Sequence, residues 1–438
     1  MALNALLVPL GSHGDVHPLI GIGIRLKQRG HRVRVIVNGH FEPIVRGAGL
    51  EFIELGTDAE YRQMASNPQL WARRKGPATV IKALGELTEP VYNAIVENNE
   101  PGNTVVVAST LAMGARIAQD KFAIPTVNIH LQPLAFWSAI DPPRIPSLLL
   151  GKNVPRWFIR FQFVMANAVV LDRLAGPPIN GLRARVGLPP VKRILQHWWN
   201  SPDRVIGLFP DWFAPPQADW PAQTRLTGFP LYDESGVTRL PAPLEEFLAS
   251  GSPPIAFTFG SAMWHAQMLL EQSARACAMI NRRGILLTRH REQVPASLPP
   301  GVIHVDFAPF SELLPRCAAL VHHGGIGTSS QGLAAGVPQL VVPHAHDQPD
   351  NAARLVRLGV ARAIEPKRYQ APRIAEELTA LLDNPQVERT CAEVASRFVG
   401  VDSLGQTCDL IEEIAPGARP AKSRVAAVEI HESRACSS

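Results

Sequence analysis

Residues 306–358 read DFAPFSELLPRCAALVHHGGIGTSSQGLAAGVPQLVVPHAHDQPDNAARLVRL. The stretch packs a short apolar strand at 318–321, a His-His-Gly-Gly turn and a Gly-x-Gly-Thr step. An Ala-Gly-Val-Pro helix stop, a second apolar strand at 339–342 and an exposed His-Asp-Gln cluster follow. Strand, glycine turn and helix start together make an anion site. Bare glycines let the backbone approach a phosphate, and the first helical N–H groups point at it with the positive end of the helix dipole. The spacing is not Gly-x-x-x-x-Gly-Lys-Ser/Thr and no lysine follows the glycines, so a P-loop is excluded. A diphosphate held without lysine, beside a polar cluster suited to sugar hydroxyls, suggests a nucleotide sugar.

Outward from this block, short apolar strands alternate with amphipathic helices, the pattern of a parallel sheet covered on both faces. Strands are expected at 5–10, 31–37, 51–55, 104–108, 125–129 and 205–208, with helices at 18–29 and 113–121. Residues 210–254 are dense in proline, which marks a connecting segment. The alternation restarts at 255–259 and continues with a helix at 267–282 and strands at 285–288 and 303–305. Helices at 374–383, 386–398 and 404–414 close the pattern. The fold class is therefore α/β, with two Rossmann-like domains facing each other across a cleft. The expected division is 1–230 and 255–400 for the domains, 231–254 for the linker, 401–415 for a terminal helix and 416–438 for a disordered tail.

Composition narrows the function. A chain of 438 residues favours two domains, and 46% hydrophobic with 18% charged residues describes a folded protein. The net charge of +5 is small, and no lysine/arginine run is dense enough to follow a nucleic-acid backbone. It leaves room only for weak peripheral contact with an anionic membrane. Five scattered cysteines without a C-x-x-C pair point to reduced thiols in the cytoplasm, and to neither disulfides nor zinc. The apolar start is interrupted at residues 11–15 and has no basic leader, so it reads as a first buried strand rather than a targeting segment. The longest apolar run elsewhere, about residues 161–171, falls far short of the roughly 20 residues that span a bilayer.

A second chemical cluster lies at residues 11–18, GSHGDVHP, between the first strand and its helix. It offers His13, Asp15 and His17 beside two glycines. Transfer of a glycosyl group to an alcohol needs a base for the hydroxyl proton and stabilisation of the departing diphosphate. Asp15 suits the base. It equally suits the N-cap of a helix that begins near His17.

The 306–358 block resembles the donor-site signature of family 1 glycosyltransferases, which have the GT-B fold and use nucleotide-diphosphate sugars. That resemblance implies that His322, Gly325, Gly327 and Thr328 hold the diphosphate and that Phe307 and Ala308 receive the base. It also implies that Asp347 and Gln348 bind the sugar hydroxyls. Ser261, after the Phe-Gly step, either contacts phosphate or caps the next helix. The 11–18 loop is similar to the family's Gly-x-x-Gly-Asp-Val-x-Pro type, which makes Asp15 the base, His13 the second candidate and His17 an orienting group. The resemblance implies an acceptor-binding first domain, a donor-binding second domain, an inverting reaction and no metal or other cofactor. The histidines at 322, 323, 344 and 346 show no metal-ligand spacing.

Segments such as PVYNAIV, VGLPPVKRI, LFPDWFAPPQADWP and TGFPLYD resemble the bacterial rhamnolipid rhamnosyltransferases. This implies a dTDP-L-rhamnose donor, a 3-(3-hydroxyalkanoyloxy)alkanoate acceptor made by an acyltransferase partner, and a cytoplasmic chain peripheral on the inner membrane. The greasy residues around 137–163 would border the acceptor, with His130, Phe136 and Trp137 as contacts, or would close the core of the first domain. Several positions depart from that pattern: His13, His17, His323, Gly324, Thr328 and Pro349, with Ser330 and Gln331 where the family's ribose-binding Glu is absent. They keep open a UDP-glucose donor with a hydroxy-lipid, sterol, carotenoid or polyketide acceptor, and also a non-catalytic nucleotide-sugar-binding partner protein.

Overall fold

The computed structural model describes residues 2–71, 76–145, 147–151, 153–234, 240–260 and 266–416. The apolar runs form two parallel sheets. The first holds β1 (Asn4–Val8), β2 (Arg32–Val37), β3 (Glu51–Glu54), β4 (Thr104–Ser109), β5 (Thr126–His130), β6 (Arg204–Gly207) and β7 (Thr224–Leu226) in the order β3-β2-β1-β4-β5-β6-β7. The second holds β8 (Ile255–Thr258), β9 (Gly284–Leu287), β10 (Val302–Val305), β11 (Ala319–His322), β12 (Gln339–Val341) and β13 (Ala361–Ala363) in the order β10-β9-β8-β11-β12-β13. Central strands are buried on both faces, as helical crossovers require. Leu7 of β1 lies between Val35 and Val107, and Val321 of β11 lies between Phe257 and Leu340. The strand order reverses beside β1 and beside β8. In open α/β sheets the ligand crevice lies at the carboxyl ends of the strands at this reversal.

Three departures from the sequence expectation have local causes. The first helix runs from His13 to Gln28 rather than starting at 18. Pro18 looks like a first helical residue, but the real start signal is Ser12-x-x-Asp15, a capping box. Asp15 is therefore in the first turn and is not the N-cap. Strand 205–208 is followed by a further strand, β7, within the proline-rich segment, at the sheet edge where a missing ladder partner is tolerated. The HDQPDN stretch, which reads as loop, opens the helix Gln348–Leu358 with Pro349 in its first turn.

The last described helix, Ser403–Glu412, returns to the first sheet. Cys408 and Ile411 pack with Leu19, Ile22 and Leu26, and Arg29 pairs with Asp409 and Glu412 at 2.6 and 2.9 Å. Four cysteines among the described residues are free and buried. The tail expected at 416–438 lies, apart from Pro416, outside the described residues; so do Ser261 and residues 235–239 of the linker.

Candidate active site

The glycine turn is built from β11 outward. His322 ends the strand with no exposed surface. Its Nε2 lies 2.9 Å from Gln339 Oε1 on β12, and its Nδ1 accepts from the Gly324 amide at 3.1 Å. Burial pushes its pKa down to about 4, so the ring is neutral, with Nε2–H donating. Gly324 has φ +93°, and a Cβ there would meet Val341 at 2.9 Å. Asn351 Nδ2 holds the Gly324 carbonyl at 2.9 Å.

Gly325 then caps the helix Ile326–Ala334 without any side-chain hydrogen bond. The amides of Ile326, Gly327 and Thr328 have no carbonyl in their own helix to bond, as in any first turn. A Cβ on Gly327 would meet nothing within 4 Å, so this turn faces open space. The expectation for His322 is thus corrected: its ring secures the turn from below and cannot reach a phosphate.

The second histidine takes the exposed side. A Cβ on Gly260, at the end of β8, would lie 2.8 Å from His323 Cε1, and one on Gly325 would lie 2.5 Å from its Nε2. His323 Nδ1 is buried with no hydrogen-bond partner. Burial, then His322 and His344, push its pKa to about 3 and keep it neutral. Its signal was present in the sequence, because neighbours at a strand end point to opposite sides.

The 343–347 loop follows β12. Gln348 is 3% exposed, and its Oε1 accepts from the amides of His344 and Ala345 at 2.8 and 3.1 Å. Gln348 therefore shapes the loop, with only its amide nitrogen left for a ligand. Asp347 Oδ2 accepts from Asn351 Nδ2 at 2.6 Å. Burial first, and the Asp15 carboxylate among the lesser causes, hold the Asp347 pKa up at about 7. Asn351 joins the glycine turn to this carboxylate. It sits one turn along the helix Gln348–Leu358, whose first-turn residue types are shared with loops.

Across the cleft, Asp15 Oδ2 accepts from the Ser12 amide at 2.7 Å and the Ser12 hydroxyl at 3.0 Å. Among the described residues its Oδ1 has no protein hydrogen bond. Burial raises its pKa, against the lowering by the Ser12 bonds. The His13 ring lies 5.6 Å from His17, 5.5 Å from His40 and 5.0 Å from Phe41, and its Nδ1 is buried without a partner. Burial leads the effects that bring its pKa to about 3, so His13 is neutral and a poor proton acceptor.

His17 Nε2 lies 3.0 Å from Glu234 Oε1, an ion-pair distance without hydrogen-bond alignment. Arg289, beyond β9, places its guanidinium 4.7 Å from the Phe307 ring and Nη1 3.5 Å from His13 Nε2, a long contact that spans the cleft.

Other expectations are corrected by burial. His130 has no exposed surface; its Nδ1 meets Thr110 and its Nε2 lies 2.8 Å from Asn200 Oδ1. Phe136 is stacked on Trp220 at 4.1 Å inside a core cluster. Both side chains are packed against protein neighbours rather than presented to an acceptor. The Ala308 side chain is 3% exposed and packs with Val305 and Leu313, so only its backbone could face a base. Trp137 is half-buried, edge-on to Phe163 at 5.2 Å. Among the described residues no cluster of three His, Cys, Asp or Glu could hold a metal ion.

Known proteins match most of the length of this chain. Residues 5–133 match the glycosyltransferase family 28 N-terminal domain, and residues 277–402 match the erythromycin biosynthesis protein CIII-like C-terminal domain. O-mycaminosyltylonolide 6-deoxyallosyltransferase of Streptomyces fradiae is 31% identical over 423 residues, covering 93% of this chain and 96% of the relative. The glycotransferase of kitacinnamycin has a similar structure, with TM-score 0.73 and 21% identity over 95% of this chain and all of that one. Spinosyn rhamnosyltransferase SpnG, solved with thymidine diphosphate, aligns with TM-score 0.68 and 16% identity over 93% of this chain and 100% of its own. With a relative of this identity aligned nearly end to end, the chain belongs to the family 1 GT-B glycosyltransferases, enzymes that use nucleotide-sugar donors.

Proposed function

We propose that this enzyme is an inverting transferase that moves L-rhamnose from dTDP-L-rhamnose to the hydroxyl of a lipophilic acceptor of the 3-(3-hydroxyalkanoyloxy)alkanoate kind. The observation that carries the reading is the unpartnered Oδ1 of Asp15, close enough to the Asp347 carboxylate to raise its pKa and on the other side of the cleft from the uncapped first turn of Ile326–Ala334. In this reaction Asp15 Oδ1 takes the acceptor proton while the hydroxyl oxygen attacks the anomeric carbon. The carbon–oxygen bond to the diphosphate breaks, and the amides of Ile326, Gly327 and Thr328 receive the charge that leaves. A raised pKa makes Asp15 a stronger base than an ordinary carboxylate. Gly325 and the Thr328 hydroxyl complete the diphosphate site, Phe307 offers a face to the base, and Asp347 holds the sugar hydroxyls. Trp137 borders the acceptor, which an acyltransferase would supply.

A macrolide or other polyketide acceptor is the second reading, favoured by the Streptomyces relative, whose name describes a deoxysugar transferase acting on a mycaminosyl-tylonolide. The two are separated by incubating the enzyme with a hydroxyacyl lipid or a macrolide aglycone, each with dTDP-rhamnose or UDP-glucose, and identifying products by mass. A rhamnosylated lipid is expected. A glycosylated macrolide without lipid product moves the assignment to the second reading, and no product with any pair overturns both. Asp15→Asn is expected to lower kcat by roughly 100-fold or more while thymidine diphosphate binds nearly as before. Full turnover by that variant would remove Asp15 from its role.

A further inference from the structure

The helix Arg156–Ala166 and the π-helical turn Asn167–Leu171 that extends it form a rod with one face covered and one bare. Ile159 and Phe163 are buried in a cluster with Ala139, and Trp137 packs against it. At about 100° per residue, Trp157, Phe161, Val164 and Met165 fall on the opposite side. Their exposures are 70, 53, 43 and 43%. A contiguous bare apolar face of this kind marks an interaction surface.

The charge pattern names the partner. Between Asp141 and Asp172 the chain has no carboxylate side chain and four cations, Arg144, Lys152, Arg156 and Arg160. Both bracketing acids are engaged elsewhere: Asp141 with Arg354 and Arg357, and Asp172 with the amides of Arg193 and Ile194. Arg156 and Arg160 stand exposed on the flank of the bare stripe, and neither forms an ion pair among the described residues. An amphipathic helix with Trp and Phe on one side, arginines at the margin and no acids lies flat in a lipid interface, its arginine stems reaching to the headgroups.

We infer that this rod is a docking surface for an anionic lipid membrane. The contact is peripheral, since no helix among the described residues is long and apolar enough to cross a bilayer. The covered face packs on the segment that leaves the carboxyl end of β5. The inference goes beyond the proposed reaction and does not depend on it.

The test is co-sedimentation of the full chain with vesicles. Binding to equimolar phosphatidylglycerol and phosphatidylcholine is expected to exceed binding to phosphatidylcholine alone by about tenfold and to weaken with salt. Arg156→Glu with Arg160→Glu should erase that preference, and Trp157→Ser with Phe161→Ser should lower binding to both vesicles by about tenfold or more. All four side chains are exposed, so melting temperatures should stay near wild type. Wild-type protein that fails to pellet, or a Trp157→Ser/Phe161→Ser variant that pellets equally, overturns the inference. So does a lipid-free wild-type dimer that the same variant converts to monomer, which would assign the face to a second copy. Glycosylation of a soluble short-chain acceptor, measured beside these assays, separates failure of docking from failure of the reaction.

Discussion

His322 and His323 are adjacent in the chain and belong to different environments. His322 is buried with both ring nitrogens bonded, so His322→Ala leaves Gln339 Oε1 and the Gly324 amide without partners. A stability loss of about 2–4 kcal/mol is expected from the cavity and the lost bonds, read as a lower midpoint in urea. His323 is wedged between Gly260 and Gly325 with an unpartnered Nδ1. His323→Ala should change the urea midpoint little and weaken thymidine diphosphate binding several-fold by calorimetry. Both residue types were visible in the sequence, and so was their place beside a glycine turn. Which ring faces the ligand depended on where β11 ended, and one residue of register exchanges the two. Asp15 carries a similar ambiguity. Its Oδ2 closes a capping box while Oδ1 stays without a protein partner, so the capping and catalytic readings concern different oxygens of one carboxyl group. An asparagine carbonyl can still accept from the Ser12 amide, and Asp15→Asn should cost less than about 1 kcal/mol of stability. Lost turnover in that variant therefore reports chemistry and not unfolding.

In the proposed donor site the helix Ile326–Ala334 acts as an element rather than as a set of side chains. A methyl at Gly327 has open space around it, and alanine favours helix over glycine by about 0.5–1 kcal/mol. Gly327→Ala is therefore expected to leave the protein equally stable or slightly more so, while the methyl enters the space a phosphate would take and raises the donor KM by about tenfold. Gly324→Ala should do the reverse, because φ +93° and the close approach of Val341 make any side chain strained there; a lower melting temperature is the readout. The start of this helix was legible because glycine turn and helix are contiguous in the chain. The helix Gln348–Leu358 was not, since its first turn carries Asp, Gln and Pro, residue types shared by loops and helix starts. Missing that helix concealed Asn351 and the inward turn of Gln348. β7 was hidden for a related reason: it is a short edge strand whose partner, β6, supplies the pairing that its own sequence does not announce.

At the scale of the molecule, a polar latch ties the segment after β5 to the second domain. Arg354 bonds Asp141 through Nη1 and Asp350 through Nε, both at 2.8 Å, and Asp350 is 3% exposed. Replacing one partner of a buried pair strands the other charge. Arg354→Met is expected to cost about 3–5 kcal/mol, whereas a similar change at the exposed Arg25–Asp402 pair should cost at most about 1 kcal/mol. Chemical denaturation distinguishes the two. The buried imidazoles set the response to acid. His130 and His322 titrate near 4 in the folded chain, below the ordinary value of 6.5, so the unfolded chain binds more protons between those limits. Their stabilising effect is complete above pH 6.5 and is lost as pH falls toward 4, by roughly 1.4 kcal/mol per pH unit for each. Asp347, raised to about 7 from 3.8, acts in the opposite sense across the whole of that range and offsets one of the two. A melting temperature that falls from pH 6.5 to 4.5 is expected, and His130→Gln should flatten the fall.

By itself the sequence determined the class of fold and pointed to the candidate donor site. Strand alternation, glycine turns, helix starts and the Asp15 loop are short-range patterns, written within a few residues and governed by backbone sterics and local hydrogen bonds. Tertiary structure alone decided which groups meet. It sent His322, His130, Phe136 and most of Gln348 into the interior, returned the last helix to the first sheet, and brought Asp15 within electrostatic reach of Asp347. Those outcomes depend on packing between residues far apart in the chain, where burial strips water from a side chain and only the assembled neighbours determine whether its polar atoms find a partner or remain for a ligand.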